Sequence, residues 1–171
     1  FGANVRILDE RNIVIDGGGY VGSQFAVEPD ASSASYPFAA AAVVGGRVCV
    51  NGMSSNMMQG DSRFVDVLRQ MGCEVSEDQV GVTISRHASE PLRGVDVDMS
   101  QISDLVPTLA IVAMFAKTPT RIRKVGFIRN KESDRIGDLA SEMRSRGAKV
   151  VEHEDGLEIL PQVLHSGRCD T

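Results

Sequence analysis

The feature that most constrains the fold of this chain is an internal repeat with a period of about 75 residues. In each copy a short strand pattern leads to an amphipathic helix, a glycine ends the helix, and an alternating strand pattern follows. These segments lie at 47–50, 64–71 and 80–84 in the first copy and at 121–125, 136–143 and 156–160 in the second. A repeat of this length predicts a duplicated α/β unit and not a solenoid of small repeats.

Each amphipathic helix is preceded by a helical segment of another kind, 36–44 and 105–116, which is apolar on every face. Such helices are expected to be buried all round. Pro37 and Pro107 are expected in their first turns, where the missing N–H costs nothing. Enclosing the two helices with sheet is the simplest way to bury them in a chain of this size. The sequence therefore predicts an α/β fold in which buried helices are enclosed by outer sheets, with these two helices as the most buried elements.

The repeat also predicts how the chain is organised. We expect one domain over residues 1–171, containing two repeats at about 23–93 and 94–165 that join in the polar loop 87–94. A chain of 171 residues with 42% hydrophobic content is enough for one core. Further strand material is expected at 6–16, 23–28 and 94–99.

Composition and motifs exclude several classes of function. The net charge of −5 and the lack of a basic stripe argue against nucleic-acid binding. No apolar run approaches the roughly 20 residues that a bilayer requires, and no signal peptide is found, so we expect no membrane partner and a cytoplasmic location. No P-loop or dinucleotide fingerprint is present, which argues against a nucleotide cofactor, and the cysteines do not have the spacing of metal ligands. The cysteines are expected to be reduced thiols: Cys49, Cys73 and Cys169.

The densest group of charged residues, 129–135, comes just before the second amphipathic helix. Charged stretches of this kind most often form the capped, solvated start of a surface helix. However, a helix start flanked by Lys and Arg is also well suited to bind an anion. Glu132, placed among cations, would stay ionised close to that anion and could transfer a proton.

Asp104 stands at the start of the second apolar helix and has two interpretations. It is either a helix cap with no further role or a functional carboxylate facing the same site as Glu132. Asp30, followed by a run of serines, has the same capping interpretation. The histidines lie in polar surroundings without partner spacing and are expected to be surface residues: His87, His153 and His165.

Three motifs occur in the order found in one enzyme family. They are 28–36 (EPDASSASY), 56–61 (NMMQGD) and 131–136 (KESDRI), and Asp104 falls between the last two. In these residues the chain resembles 5-enolpyruvylshikimate-3-phosphate synthases over essentially its whole length. The resemblance implies a fold of two similar domains, each assembled from three βαβαββ units with helices inside and sheet outside.

The resemblance also implies an activity: transfer of the enolpyruvyl group of phosphoenolpyruvate to the 5-hydroxyl of shikimate 3-phosphate, on the route to chorismate and the aromatic amino acids. By this resemblance Asp104 accepts the proton of the attacking hydroxyl, and Glu132 handles the proton at the methylene carbon. Lys131 contacts the phosphorylated acceptor, and Arg135 clamps phosphoenolpyruvate. No cofactor or metal is implied.

The chain also departs from the family. Full members are well over twice its length, so a second domain and several substrate-binding cations are expected to be missing. Phe127 stands where many relatives have Asn, which removes one expected substrate contact. We therefore expect the isolated chain to fold without turning over substrate.

Two alternative functions follow from the same residues. One is a related enolpyruvyl transferase that acts on UDP-N-acetylglucosamine. The other is a fragment or excised domain without catalytic activity, which the short length of the chain favours.

Overall fold

The structure, a computed structural model, describes residues 1–166. The helices are α1 (Ala31–Val44), α2 (Phe64–Gln70), α3 (Val106–Ala113) and α4 (Gly137–Ser145). The strands are β1 (Val5–Ile7), β2 (Ile13–Ile15), β3 (Gly46–Asn51), β4 (Glu74–Glu77), β5 (Gly81–Arg86), β6 (Asp96–Asp98), β7 (Thr120–Arg123), β8 (Lys149–His153) and β9 (Gly156–Leu160). Short 3-10 turns lie at Gly60–Arg63, Ser103–Leu105 and Gly126–Asn130.

The two larger sheets repeat one arrangement. One has the order β3-β5-β4 and the other β7-β9-β8, with antiparallel pairing in both, and β6 adds a parallel strand beside β7. In each sheet the last two strands follow an amphipathic helix, α2 or α4. The α/β fold with a duplicated unit is therefore confirmed.

Glycines fix equivalent turns and contacts in the two units. Gly72 and Gly147 follow α2 and α4 with φ of 105° and 83°, in the left-handed region that favours glycine. Gly81 and Gly156 begin the last strand of each unit. A Cβ atom would lie 2.1 Å from the carbonyl oxygen of Val50 at Gly81, and a Cβ atom at Gly156 would lie 2.0 Å from that of the neighbouring strand. Both glycines are thus required by the close approach of a strand backbone.

The hydrophobic core runs from Ala31 to Ile159 and is built between helices and sheets. Helices α1 and α3 pack against each other, and α1 also packs on β3 and β5. Phe38 and Leu109 contribute side chains that are at most 1% exposed. Burying apolar side chains of this size stabilises the fold by roughly 1.5–3 kcal/mol each.

The start of α1 differs from the prediction. The helix begins at Ala31 because Asp30 caps it, accepting a 3.0 Å hydrogen bond from the Ser33 N–H. The capping interpretation of Asp30 is confirmed, but the expectation that Pro37 lies in the first turn is wrong, since Pro37 is more than one turn inside the helix. Pro107 does lie in the first turn of α3.

The expectation that both apolar helices are buried all round is also wrong. Tyr36 and Val44 of α1 are 68% and 71% exposed, and Ile111 and Phe115 on and after α3 are 46% and 45% exposed. Strands β3 and β5 pack against α1, whereas these four side chains line a groove between α1 and α3. In addition, α3 ends at Ala113, short of the predicted residue 116.

Residues before α1 stand apart from the core. Strands β1 and β2 pair as an antiparallel hairpin that falls in the predicted segment 6–16, except that β1 begins one residue earlier, at Val5. Every residue in the two strands except Val14 is exposed. Residues 23–28 belong to the described part of the chain and run as irregular coil, so the strand predicted there is wrong.

The domain organisation inferred from the sequence remains a prediction. A single domain over 1–171 with repeats at about 23–93 and 94–165 stays a prediction, and Cys169 lies outside the described residues. Cys49 and Cys73 are free thiols. None of the helices within residues 1–166 has the length and apolar character needed to cross a membrane.

Candidate active site

The four side chains singled out from the sequence meet at one end of the groove between α1 and α3. Asp104 lies in the 3-10 turn that leads into α3. Lys131, Glu132 and Arg135 lie in the irregular segment between the turn Gly126–Asn130 and α4. As expected, both carboxylates lie on the same side of the fold as the two cations.

Arg135 joins the two carboxylates through one guanidinium group. Its Nη1 donates a 3.0 Å hydrogen bond to Asp104 Oδ1, and its Nε donates a 3.1 Å hydrogen bond to Glu132 Oε1. The ammonium group of Lys131 also forms an ion pair with Asp104 Oδ1. The site therefore holds two cations and two carboxylates in one connected network.

The side chains of the two cations are less exposed to solvent than those of the two carboxylates. The side chains of Lys131 and Arg135 are 28% and 26% exposed, whereas those of Asp104 and Glu132 are 59% and 69% exposed. Packing of the long cationic stems against the protein fixes the charged heads at the edge of the groove. The carboxylates, in contrast, remain open to solvent and to incoming ligands.

The network lowers the pKa values of both carboxyl groups. The hydrogen bond from Lys131 is the main cause that holds the pKa of Asp104 below its ordinary value, with Arg135 contributing less. The hydrogen bond from Arg135 is the main cause that lowers the pKa of Glu132. The pKa of Arg135 is raised, chiefly by Glu132. Both carboxyl groups are thus ionised at neutral pH.

The groove beside this network is large and changes in character along its length. It encloses about 830 Å³. Asp104, Glu132 and Arg135 line one end together with Ser32. The rest of the lining is apolar apart from Thr108: Tyr36, Ala39, Ala40, Val43, Val44, Leu105, Pro107, Ile111 and Phe115. A pocket with a few convergent polar groups at one end of an apolar wall is typical of a ligand site or an interface between domains.

The capping interpretation of Asp104 is wrong. Helix α3 has Leu105 at its N-terminal cap position, without a hydrogen bond from a side chain. The carboxylate of Asp104 instead contacts Lys131 and Arg135, which are 27 and 31 residues away in the sequence. Two charge-assisted hydrogen bonds from cations outweigh one bond from a backbone N–H.

Two residues that the sequence analysis did not single out secure the motif 28–36 at the groove. Gln59 accepts a 2.9 Å hydrogen bond from the Ala31 N–H and donates a 2.7 Å bond to the Pro29 carbonyl. The carboxylate of Asp61 accepts a hydrogen bond from the Ser32 hydroxyl. The signal for both was their place in the motif 56–61, which the fold brings against the start of α1.

Phe127 and the histidines lie outside the network of the site. Phe127 is 52% exposed, in the turn Gly126–Asn130. His87 and His165 are exposed, and His153 is half-buried with its Nε2 3.4 Å from Glu158 Oε2. Within residues 1–166, no cluster of three or more His, Cys, Asp or Glu side chains could hold a metal ion.

Solved structures identify the class of fold. The chain is similar to the 2.37 Å structure of EPSP synthase from Acinetobacter baumannii, with a TM-score of 0.74 and 29% sequence identity over 94% of this chain and 38% of that chain. It also matches the enolpyruvyl transferase NikO from Streptomyces tendae with a TM-score of 0.65, where the 21% identity supports the fold alone. The fold is that of enolpyruvyl transferases.

Sequence comparison identifies the family. The model of EPSP synthase (3-phosphoshikimate 1-carboxyvinyltransferase) matches residues 1–171, and the chain belongs to this family. A 3-phosphoshikimate 1-carboxyvinyltransferase of Methanoregula boonei is 43% identical over 99% of this chain, and one of Trichormus variabilis is 43% identical over 100% of it. The chain spans about 40% of the length of these relatives.

Proposed function

We propose that this chain is part of an enzyme that transfers the enolpyruvyl group of phosphoenolpyruvate to the 5-hydroxyl of shikimate 3-phosphate and releases phosphate. The proposed step belongs to the biosynthesis of chorismate and the aromatic amino acids. Family membership and relatives named 3-phosphoshikimate 1-carboxyvinyltransferase support the reaction. One observation supports the roles of individual residues. It is the network at one end of the groove, formed by Asp104, Lys131, Glu132 and Arg135.

The reaction moves protons at the attacking hydroxyl and at the methylene carbon, and the site has two carboxyl groups that could carry them. In the addition step, Asp104 takes the proton of the attacking hydroxyl while the hydroxyl oxygen bonds to C2 of phosphoenolpyruvate. Glu132, in its protonated form, delivers a proton to the methylene carbon, which becomes a methyl group. In the elimination step the C2–O bond to phosphate breaks, the Glu132 carboxylate takes a proton back from the methyl group, and protonated Asp104 passes its proton to the leaving phosphate. The products are enolpyruvylshikimate 3-phosphate and phosphate.

The two cations have matching roles in the proposal. Lys131 contacts shikimate 3-phosphate, and Arg135 binds phosphoenolpyruvate, for which its planar fork of donors is suited. The tetrahedral intermediate collects the negative charges of both substrates on one carbon skeleton. Fixed cations stabilise that intermediate more than they stabilise the separate substrates.

The charge of the site supports a requirement for a second domain. Lys131 and Arg135 are balanced by Asp104 and Glu132, so the network adds no net positive charge to attract two multiply charged anions. Further cations would have to come from the part of the relatives that this chain does not span. We therefore propose that the chain alone binds anions weakly and does not turn over substrate.

We further propose that residues 1–171 act as one domain with repeats at about 23–93 and 94–165. The exposed apolar wall of the groove supports contact with another part of a longer protein. We infer a cytoplasmic location, which the free thiols of Cys49 and Cys73 support.

The test is a chimaeric enzyme in which these 171 residues replace the matching segment of the Methanoregula boonei relative. Phosphate release is measured with phosphoenolpyruvate and either shikimate 3-phosphate or UDP-N-acetylglucosamine as acceptor. We expect turnover with shikimate 3-phosphate, and a loss of about 100-fold or more in Asp104→Asn and Glu132→Gln variants. The isolated chain is expected to be inactive.

Other results would favour the alternatives. Turnover with the nucleotide sugar alone would indicate the related transferase. A folded chimaera that is inactive with both acceptors would contradict the proposal, because the missing domain has been supplied.

A further inference from the structure

The segment that carries Lys131, Glu132 and Arg135 is held by contacts that the proposed chemistry does not use. The segment lies between the turn Gly126–Asn130 and α4 and has no regular hydrogen-bond pattern of its own. Irregular exposed segments usually leave their side chains free to move. Fully buried Ile128 and Ile136 fix its two ends in the core, but the residues between them are exposed or only half-buried.

Asp134 is the anchor in the middle of this segment. Its Oδ1 accepts hydrogen bonds from the backbone N–H groups of Ile136 at 3.1 Å and Gly137 at 2.9 Å, just where α4 begins. A Cβ atom on residue 137 would lie 2.8 Å from Asp134 Oδ2, so the glycine allows this close approach. The carboxylate thus acts in place of a side-chain cap for α4. Asp134 also lies between Glu132 and Arg135 in the sequence.

Arg129 holds the same carboxylate from the other side. Its Nη1 donates to both oxygens of Asp134, at 2.7 Å and 3.1 Å. Its Nη2 donates to Glu152 Oε2 at 3.4 Å and to the His153 carbonyl at 3.3 Å, both on β8. Arg144 of α4 holds Glu152 in turn, at 2.8 Å. Arg129 therefore ties the segment to the sheet.

We propose that Arg129 and Asp134 are positioning residues for the site, which set the geometry of Glu132 and Arg135 without contacting substrate. Because Asp134 lies directly before Arg135, a shift of Asp134 moves the guanidinium that bridges Asp104 and Glu132. The inference rests on the proposed function for its catalytic meaning. The effect of Arg129 and Asp134 on the positions of Glu132 and Arg135, however, can be tested without the transfer reaction.

The test uses the titration of the Glu132 carboxyl group, followed by carbon-13 NMR in the 171-residue chain. The charged groups that face Glu132 are Arg135 and Lys131, which lower its pKa. If positioning fails, Glu132 loses its bond to Arg135 and its titration midpoint rises by about 0.5 pH unit or more. The variants are Arg129→Met, Asp134→Asn and the double variant.

The signs of the direct charge effects separate positioning from simple electrostatics. Removing the negative charge of Asp134 would by itself lower the midpoint of Glu132, and removing the positive charge of Arg129 would raise it. The double variant keeps the net charge unchanged. Positioning predicts a rise in all three variants. Asn at 134 still accepts bonds from the N–H groups of α4, so this variant retains the cap.

Arg144→Met is the matched control. It removes another partner of Glu152, together with bonds of 3.3 and 3.0 Å to the Val150 carbonyl, without touching the segment 131–136. It should lower the melting temperature and leave the Glu132 midpoint at the wild-type value. A wild-type or lowered midpoint in Asp134→Asn and in the double variant would overturn the inference.

In the chimaeric enzyme, the double variant should also lower kcat by about 10-fold, since misplaced reacting groups cost rate. If the parent chimaera transfers no enolpyruvyl group but the midpoints shift as expected, the proposed function fails and the positioning inference stands. If the chimaera is active but the midpoints do not shift, the positioning inference fails alone.

Discussion

Arg135 and Asp104 are 31 residues apart in the sequence, yet Arg135 Nη1 donates a 3.0 Å hydrogen bond to Asp104 Oδ1. The same guanidinium also bonds Glu132. The cation proposed to bind phosphoenolpyruvate is therefore bonded to the two carboxylates proposed to transfer protons. An incoming anion has to compete with Asp104 and Glu132 for Arg135 and Lys131.

This competition predicts opposite effects of one substitution on binding and on catalysis. Asp104→Asn removes the negative charge that occupies Lys131 and Arg135, so sulfate affinity of the 171-residue chain should increase, by about 3- to 10-fold. In the chimaeric enzyme the same variant should lose activity. Isothermal titration with sulfate at constant ionic strength measures the first effect.

Asp98→Asn is the control for this experiment, because Asp98 pairs with Lys124 and not with the cations of the site. It should leave sulfate affinity unchanged. A decrease of affinity in Asp104→Asn would show that Asp104 organises the cations for the anion and does not compete with it.

Sulfate binding should also depend on pH, in a direction set by Glu132. Arg135 holds the pKa of Glu132 below its ordinary value in the free chain. A bound sulfate takes donors from Arg135 and adds negative charge, so the pKa of Glu132 rises in the complex. Between the free and bound pKa values, binding takes up a proton. Affinity should therefore increase as pH falls through that window.

Sulfate is the right probe for this measurement because its own charge stays constant over the working range. Titrations between about pH 7 and 4.5 should show the trend in the wild type, and Glu132→Gln should remove most of it. An affinity that does not change with pH in the wild type, or an equal trend in Glu132→Gln, would rule out the exchange of partners at Arg135.

The sequence predicted the parts of the fold that depend on local pattern. The helix-ending glycines Gly72 and Gly147 and the apolar spacing around them define the duplicated unit, and both follow from backbone sterics and periodicity. The start of α1 was missed because the predicted helix was limited to the apolar segment 36–44, whereas the serines after Asp30 form the first turn of the capped helix. Short, polar β4 carries too little pattern to be recognised.

The contacts between the side chains of the site were harder to predict from the sequence. Motif order placed Asp104 and Glu132 in one site, but periodicity does not tell which cation pairs with which carboxylate across about 30 residues. The exposed wall at Tyr36 and Ile111 was missed for another reason. Periodicity indicates that an apolar helix face is covered, but it does not identify what covers the face.

The equivalence of the two units can be tested at their strand-initial glycines. In Gly81→Ala and Gly156→Ala the new Cβ would lie 2.1 Å and 2.0 Å from a carbonyl oxygen of the neighbouring strand, and backbone cannot move away as a flexible side chain can. Each variant should lose about 1–3 kcal/mol of unfolding free energy in urea denaturation.

Gly17→Ala is the matched control, because a Cβ there meets nothing within 4 Å. Its unfolding free energy should stay within about 0.5 kcal/mol of the wild type. A large loss at only one of Gly81 and Gly156 would mean that the two sheets are not held by the same contact.

The last prediction concerns Arg86, which is 8% exposed and secures the C-terminal end of α1. Its Nε donates a 2.6 Å hydrogen bond to the Ala42 carbonyl, and its Nη2 donates a 3.0 Å bond to the Val43 carbonyl. These carbonyls lie in the last turn of the helix, where no further N–H groups of the helix are available and a cation is favoured. Arg86→Met keeps the apolar volume but leaves the buried oxygens without donors.

We expect Arg86→Met to lower the unfolding free energy by about 1–3 kcal/mol, because unsatisfied buried carbonyls cost that much. Arg86→Lys should recover only part of the loss, since a single ammonium group cannot match the fork of donors. Arg47→Met, on exposed β3, is the control and should change stability little. The measurement is chemical denaturation followed by circular dichroism. An Arg86→Met variant as stable as the wild type would show that water satisfies the end of α1, and the groove wall that α1 provides would then not depend on this contact.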